Sequence, residues 1–124
     1  MENALFNAAE TGDIEAIRKA LENGANVNTS DEHDRSVLLK AAKHGHYEVV
    51  HYLIEQKADI NVRDNRGTTA LYWAVVNNHT EIAKLLIDNG ADAKTMDNRG
   101  WTPLDHAVAE HHEEVAKIVG TATH

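Results

Sequence analysis

Asp64-Asn65-Arg66-Gly67 recurs without change as Asp97-Asn98-Arg99-Gly100, so the two copies lie 33 residues apart. The same offset aligns Leu71 with Leu104, and a step of 33 residues back from Leu71 reaches Leu38. A fixed period of this length is typical of a stack of one small structural unit. Four copies in phase span the chain, at about residues 2–30, 31–63, 64–96 and 97–124.

Each unit contains two short amphipathic runs, which predict two helices. Thr69 and Thr102 precede the first run, where a hydroxyl can cap a helix, and Pro103 suits the first helical position because it has no N–H. Asp105 completes a short capping box with Thr102. Asn89-Gly90 stops the second run in the manner of a C-cap. The polar residues that follow predict an extended turn that leads into the next unit.

The chain resembles the ankyrin repeat family over essentially its whole length. The resemblance rests on Thr102-Pro103-Leu104, on Gly45-His46-Tyr47-Glu48 and on Gly90-Ala91-Asp92. Related stretches recur in phase as Gly24-Ala25-Asn26 and Ala58-Asp59-Ile60-Asn61. The resemblance implies an all-α solenoid of stacked helix-turn-helix units. It also implies a row of projecting β-turn fingers, with the first helices lining a concave face, and we expect a single domain over residues 1–124.

Several positions depart from the family pattern. Asp34 and Lys57 stand where the family has glycine, and Asn78 replaces a third glycine, although asparagine tolerates positive φ. The second copy, which carries Asp34 and Lys57, is therefore expected to be the weakest. In the fourth copy we expect a shortened second helix that ends soon after Val119, followed by a polar tail over residues 120–124.

Composition limits the compartment and the partners. The 124 residues include no cysteine, which excludes disulfides and thiol chemistry. The N-terminus has no signal-peptide pattern and no apolar run is long enough to cross a membrane. We expect a cytoplasmic protein; a nuclear location, or export by a route that uses no N-terminal signal, stays open. The formal net charge of −8 argues against nucleic acid as a partner.

Nine histidines raise the question of a metal or catalytic site. His46, His79 and His112 are spaced by the period, so they lie roughly 8–10 Å apart in a helical stack, too far to share one ion. We interpret each as a structural residue that bonds to neighbouring backbone. His106 and Glu110 share a helical face, and we expect a solvated pair there. No phosphate loop or catalytic motif occurs, so we predict no enzyme, no cofactor and no metal.

The resemblance implies a non-catalytic module for protein–protein interaction, acting as an adaptor or a stoichiometric inhibitor and monomeric when free. A second hypothesis is that the chain is a substrate of an asparaginyl hydroxylase, because Asn28 and Asn61 occupy the position modified in eukaryotic ankyrin repeats. The third copy has Lys94 there, so this signal is partial. A third hypothesis is a structural subunit of a larger assembly.

Charge and aromatic residues suggest where a partner binds. Four of the five arginines fall in the turns, whereas most carboxylates of the second helices lie on the outer side. Tryptophan and arginine are enriched among binding hot spots. In the competing interpretation, the arginines only pair with aspartates of the same turns and the tryptophans only cover the seams between repeats. The predicted site binds an acidic or aromatic-bearing segment of a protein, and we call its residues the finger surface: Arg35, Lys43, Arg66, Trp73, Arg99 and Trp101.

Overall fold

The computed structural model describes residues 2–122, which form eight α-helices in four antiparallel pairs. We number the pairs as repeats 1 to 4. Between residues 2 and 122, strand pairing is limited to an isolated bridge from Ser30 to Ser36. The prediction of an all-α repeat solenoid is confirmed. The helices are α1 (Glu2–Thr11), α2 (Ile14–Glu22), α3 (Val37–Lys43), α4 (Tyr47–Glu55), α5 (Ala70–Val76), α6 (Thr80–Asp88), α7 (Pro103–Ala109) and α8 (Glu113–Ala122).

The helices form two layers. The first helices of successive repeats pack on one another along one layer, and the second helices do so along the other. Small residues permit close packing, since Ala41, Ala74 and Ala107 are fully buried. A continuous cluster of buried side chains extends from Leu5 in α1 to Val119 in α8. The core is therefore distributed along the stack, as expected where each repeat contacts its neighbours.

Side-chain caps begin the first helices of repeats 2 to 4. The hydroxyl oxygens of Ser36, Thr69 and Thr102 each accept a hydrogen bond from the backbone N–H three residues later. The backbone N–H of Thr102 also donates to the Asp105 carboxylate (2.9 Å), which completes the predicted capping box. Each cap satisfies a backbone donor that the helix leaves without a partner.

Within residues 2–122, four residues other than glycine have positive φ. They are Asp34 (62°), Lys57 (71°), Asn78 (58°) and His111 (60°). The first three occupy the positions where the sequence departs from the family glycine, and the predicted positive φ of Lys57 and Asn78 is confirmed. His111 is the repeat 4 equivalent of Asn78 and of Gly45, which has a φ of 79°.

The fourth repeat differs from expectation. Helix α8 runs through Gly120 to Ala122 and has ten residues, one more than α6, so the predicted shortened helix is wrong. Val115 and Val119 are fully buried on one face of α8. Their packing favours continuation of the helix through the polar residues that follow Val119. Residues 123 and 124 of the predicted tail lie outside the described residues.

Histidines join each repeat to the one before it. The Nε2–H of His46 donates to the Glu10 carbonyl oxygen (2.7 Å), and that of His79 donates to the Lys43 carbonyl oxygen (3.3 Å). His112 bonds through Nδ1 to the Val75 carbonyl oxygen (3.2 Å). The predicted structural role of these three histidines is confirmed.

Replacing Lys57 with glycine should stabilise the fold. A left-handed backbone conformation strains a residue with a Cβ by about 1–2 kcal/mol, while glycine adds about 0.5–1 kcal/mol of unfolded-state entropy. The net gain in unfolding free energy should be about 0.5–1 kcal/mol, measured by urea denaturation. Gln56→Gly is the matched control, because Gln56 has a φ of −85°, and it should lower stability. A lower midpoint for Lys57→Gly would contradict the strain argument.

The single-domain prediction can be tested by native-state hydrogen exchange. Each repeat buries its apolar faces against its neighbours, so slow amides in all four helix pairs should open with a common free energy. Independent exchange of α3 and α4, well below the global free energy, would show that the chain unfolds as separate units.

Candidate functional site

An aspartate closes each turn of the finger row. The Asp64 Oδ1 atom accepts hydrogen bonds from the backbone N–H groups of Arg66 (3.0 Å) and Thr68 (2.8 Å). The N–H of Asp64 in turn donates to the Thr68 carbonyl oxygen (2.9 Å). Asp31 and Asp97 make the equivalent contacts. This bonding closes the three turns and fixes the arginines between helix pairs.

Backbone contacts hold adjacent turns side by side. The N–H of Asn98 donates to the Arg66 carbonyl oxygen (3.0 Å), and its Nδ2 atom donates to the Asn65 carbonyl oxygen (2.9 Å). The Arg63 guanidinium donates across the same interval to the Met96 carbonyl oxygen (2.8 Å). The turns therefore form a continuous row, in which Arg66 and Arg99 occupy equivalent positions one repeat apart.

The residue nine positions after each finger aspartate differs between repeats. In repeat 2, the Lys40 Nζ atom lies 3.2 Å from Asp31 Oδ2. In repeat 4, the His106 Nε2 atom lies 3.1 Å from Asp97 Oδ2, so the predicted solvated pair of His106 with Glu110 is wrong. Repeat 3 has Trp73 here, whose indole N–H donates to the Thr68 hydroxyl (2.9 Å).

The carboxylates of repeats 2 and 4 are held in the ionised form. Burial alone would raise the pKa of Asp31, but backbone N–H groups of Arg35 and His33 and the side chains of Arg35 and Lys40 hold that pKa well below its usual range. At Asp97, burial is likewise outweighed by the Trp101 N–H and the His106 ring, which lower its pKa. The hydrogen bond from Lys40 lowers the pKa of Glu10.

The first of two hollows lies between repeats 2 and 3, and we call it the repeat 2/3 hollow. Its volume is about 420 Å³. The Lys43 Nζ atom lies 4.4 Å from the centroid of the Trp73 ring, within the range of a cation–π contact. The residues around the hollow include His33, Arg35, Lys43, Asp64, Arg66 and Trp73.

The second hollow, the repeat 3/4 hollow, has a volume of about 380 Å³ and shares Arg66 and Trp73 with the first. Tyr72 lies edge-on to Trp73 at 5.1 Å, and burial together with the nearby Asp97 carboxylate raises the pKa of its phenol. The phenol therefore keeps its proton and can donate a hydrogen bond. The residues around the hollow include Arg66, Thr68, Tyr72, Trp73, Asp97 and Arg99.

Trp101 stands apart from both hollows. Its side chain is 42% exposed, and its ring is tilted against the His106 ring at a centroid distance of 4.9 Å. His106 contacts Tyr72 at 4.9 Å on its other side. Trp101 is thus joined to the repeat 3/4 hollow through His106, while the other five residues of the finger surface line the hollows directly.

The competing interpretation, in which the arginines only pair with aspartates of the same turns, does not hold for every arginine. Arg35 is paired with Asp31 (Nε to Oδ2, 2.9 Å), and Arg63 is bonded to backbone. Arg99 is only loosely paired, since its NH2 atom lies 3.8 Å from Asp97 Oδ2 and its side chain is 72% exposed. Among the described side chains of residues 4–122, neither Lys43 nor Arg66 lies within ion-pair distance of a carboxylate.

Some residues that line the hollows were not predicted from the sequence, among them Tyr72, His33 and Thr68. In the repeat, Thr68 is the equivalent of Arg35 and Trp101. The period offered a signal for Thr68, because a residue aligned with two predicted contact residues lies at the same place on its turn. Tyr72 gave no such signal, since it follows Leu71 in an apolar helix.

Asn28 and Asn61 lie on the turns and are exposed. Their Oδ1 atoms accept hydrogen bonds from the backbone N–H groups of Asp59 and Asp92, each at 2.8 Å. Asn61 also donates through Nδ2 to the Gly90 carbonyl oxygen (3.1 Å). Both side chains therefore tie one repeat to the next.

Residues 4–122, whose side chains the structure describes, contain no cluster of three or more histidine, aspartate or glutamate side chains arranged to hold a metal ion. No helix in that range has the length and apolar character needed to cross a bilayer. Ser36 is fully accounted for as a helix cap. The predicted outer carboxylates, such as Glu48, Glu55 and Glu81, are all exposed.

The fold and its turn row define a helical-repeat protein with two layers of stacked helix pairs. The family model described as ankyrin repeats (3 copies) matches residues 1–64 and again residues 56–121. The chain belongs to the ankyrin repeat family. No curated protein matches it. Ankyrin repeats generally mediate protein–protein interaction, and the family is typically non-catalytic.

Acid should weaken the fold through Asp31. Its folded pKa lies below the unfolded value of about 3.8, so this contribution is present above that pH and is lost as the pH falls below it. Asp31→Asn should lower the unfolding free energy at pH 7 by about 2–3 kcal/mol. This decrease is slightly smaller than the one that removal of one partner of a buried ion pair causes.

The control for this change is Asp34→Asn, at an exposed position of the same turn where asparagine accepts the φ of 62°. Urea denaturation should show little effect of the control at any pH. The difference between Asp31→Asn and wild type should shrink from pH 7 to pH 3. A difference that stays constant would mean that the charge of Asp31 does not stabilise the fold.

Proposed function

We propose that this chain is a non-catalytic protein-binding module, an adaptor or a stoichiometric inhibitor, that binds its partner through the finger surface. The observation that carries the proposal is the pair of adjoining hollows that share Arg66 and Trp73. They place the Trp73 ring beside Lys43 and Arg66, which have no carboxylate partner among the described side chains of residues 4–122. Such residues anchor many interfaces.

The surroundings of the hollows support this choice of surface. The chain carries a net charge of −8, and exposed carboxylates cover the outer faces of the second helices. A cationic surface on the opposite side then gives a partner a defined orientation, because complementary charge steers association and disfavours wrong contacts. We further propose that the free protein is monomeric and acts in the cytoplasm.

Alanine substitutions test the proposed surface on a partner recovered from native lysate by affinity capture. Arg66→Ala, Trp73→Ala and Trp101→Ala should each weaken binding, with a loss of about 2 kcal/mol or more for the tryptophan at the centre. Calorimetric titration would measure the affinities, and circular dichroism would confirm that each variant is folded.

The matched controls are alanine variants of Glu48, Glu55 and Glu81, which are exposed on the outer side. They should leave the affinity unchanged. Weaker binding by these three variants, with no effect at the finger surface, would assign the partner to the outer face instead.

A second candidate function is modification by an asparaginyl hydroxylase at Asn28 or Asn61. The exposure of both side chains favours this candidate, since an enzyme needs access to them. The intact mass of protein from its native host should then exceed the sequence mass by one oxygen atom per modified residue. An unmodified mass would remove this candidate and leave the binding proposal standing.

A further inference from the structure

The turn arginine of repeat 3 is open, whereas Arg35 and Lys40 of repeat 2 are neutralised. In repeat 2, Asp31 holds both Arg35 and Lys40, and Lys40 also binds Glu10 at 2.9 Å. Arg66, in the turn of repeat 3, has no carboxylate within ion-pair distance among the described side chains of residues 4–122, and its backbone alone contacts Asp64. Its exposed side chain lies between the two hollows. The guanidinium is therefore available to an external anion.

Lys43 and Arg99 extend this open charge to both sides of Arg66. Lys43 lines the repeat 2/3 hollow and rests on the Trp73 ring, a contact that uses the ring face and leaves the charge without a counter-ion. Arg99 lines the repeat 3/4 hollow and is largely exposed. The Asp64 carboxylate also borders the repeat 2/3 hollow, but only 8% of that residue is exposed. An incoming group therefore meets the cations first.

The repeat sets the distance between the open charges. Arg66 and Arg99 occupy equivalent positions in adjacent turns, which are bonded to each other through Asn98. Stacked helices are separated by roughly 8–10 Å, and equivalent residues of adjacent turns share that spacing. In a polyproline II segment, residues three apart point to the same side and are separated by about 9 Å. Carboxylates at every third position of such a segment would match the turn row.

We propose that the finger surface recognises an extended, acidic protein segment in the polyproline II conformation, with carboxylates at every third residue. One carboxylate binds Lys43 and Arg66, and the next binds Arg99. The apolar or proline residue between them packs on Trp73, in the way that aromatic grooves bind such segments. This inference rests on the proposed function and adds the chemistry and the spacing of the partner.

Synthetic peptides can test the spacing directly. The first probe is a fluorescein-labelled peptide of three Glu-Pro-Ala triplets, and the second has the same composition with its three glutamates adjacent. A third probe replaces the glutamates with glutamine. In fluorescence anisotropy at low ionic strength, the intact protein should bind the first probe about three- to fivefold more tightly than the second, the effect of roughly one exposed ion pair. It should bind the third more weakly still, and added salt should weaken binding of the first.

The protein variant for this test is Arg66→Gln, which keeps the turn backbone and removes the charge. It should weaken binding of the first probe by about three- to fivefold. Arg18→Gln is the matched control, because it makes the same charge change at an exposed arginine on the outer side, 3.7 Å from Glu15. The control should bind like wild type.

Three results would overturn the inference. They are equal affinity for the glutamate and glutamine probes, equal affinity for the two arrangements of glutamate, and equal losses for Arg66→Gln and Arg18→Gln. The proposed function fails in a different way, namely when a captured partner is insensitive to Trp73→Ala. A partner that is sensitive to Trp73→Ala but not to Arg66→Gln or to salt would retain the binding surface and reject the acidic segment.

Discussion

The stack depends on the hydrogen bond between the histidine of one repeat and a backbone carbonyl of the repeat before it. This contact requires space, because a Cβ on Gly12 would lie 2.6 Å from His46 Nδ1, and one on Gly45 would lie 2.7 Å from His79 Cε1. Glycine therefore serves two needs at these positions, a positive φ and room for the imidazole ring. The registry of each repeat on the previous one follows from this fit.

Repeat 4 shows how the contact adapts when the glycine is missing. Asn78 takes the same backbone conformation, with a φ of 58°, but it carries the Cβ that Gly12 and Gly45 lack. His112 accordingly bonds through Nδ1 to Val75, instead of through Nε2 to the carbonyl equivalent to those of Glu10 and Lys43. The link between repeats is preserved with a different ring orientation.

Much of the fold was predictable because it follows from local rules repeated in phase. Caps such as Thr69 and the strained position of Lys57 depend on neighbours a few residues away, and the 33-residue period carried them along the chain. The extension of α8 was not predictable, because it depends on the burial of Val119 in the core. The polar residues after Val119 instead predicted that the helix would end there.

The candidate site was predictable in its location and less so in its electrostatics. The turn positions of Arg35 and Arg66 followed from the period, yet one of them is neutralised and the other is open. The difference arises from their places on the turn, because Arg35, four residues after Asp31, shares that carboxylate with Lys40 of α3. Arg66, two residues after Asp64, contacts its aspartate only through the backbone N–H. Such a distinction requires side-chain positions across a turn and a helix, which periodicity alone does not supply.

The position of the open charges in the middle of the stack has a physical consequence for binding. In a linear array the terminal repeats have one neighbour, whereas an inner repeat is held from both sides. Trp73 is fixed by its hydrogen bond to Thr68. The turn that carries Arg66 is fixed by hydrogen bonds of the Arg66 backbone with Asp64 and Asn98. Binding there requires little further ordering of the protein. The entropic cost of binding is therefore smaller, and the affinity for a given set of contacts is higher. Arg66 and Trp73, which the two hollows share, thus lie in a repeat that is supported by a neighbour on each side.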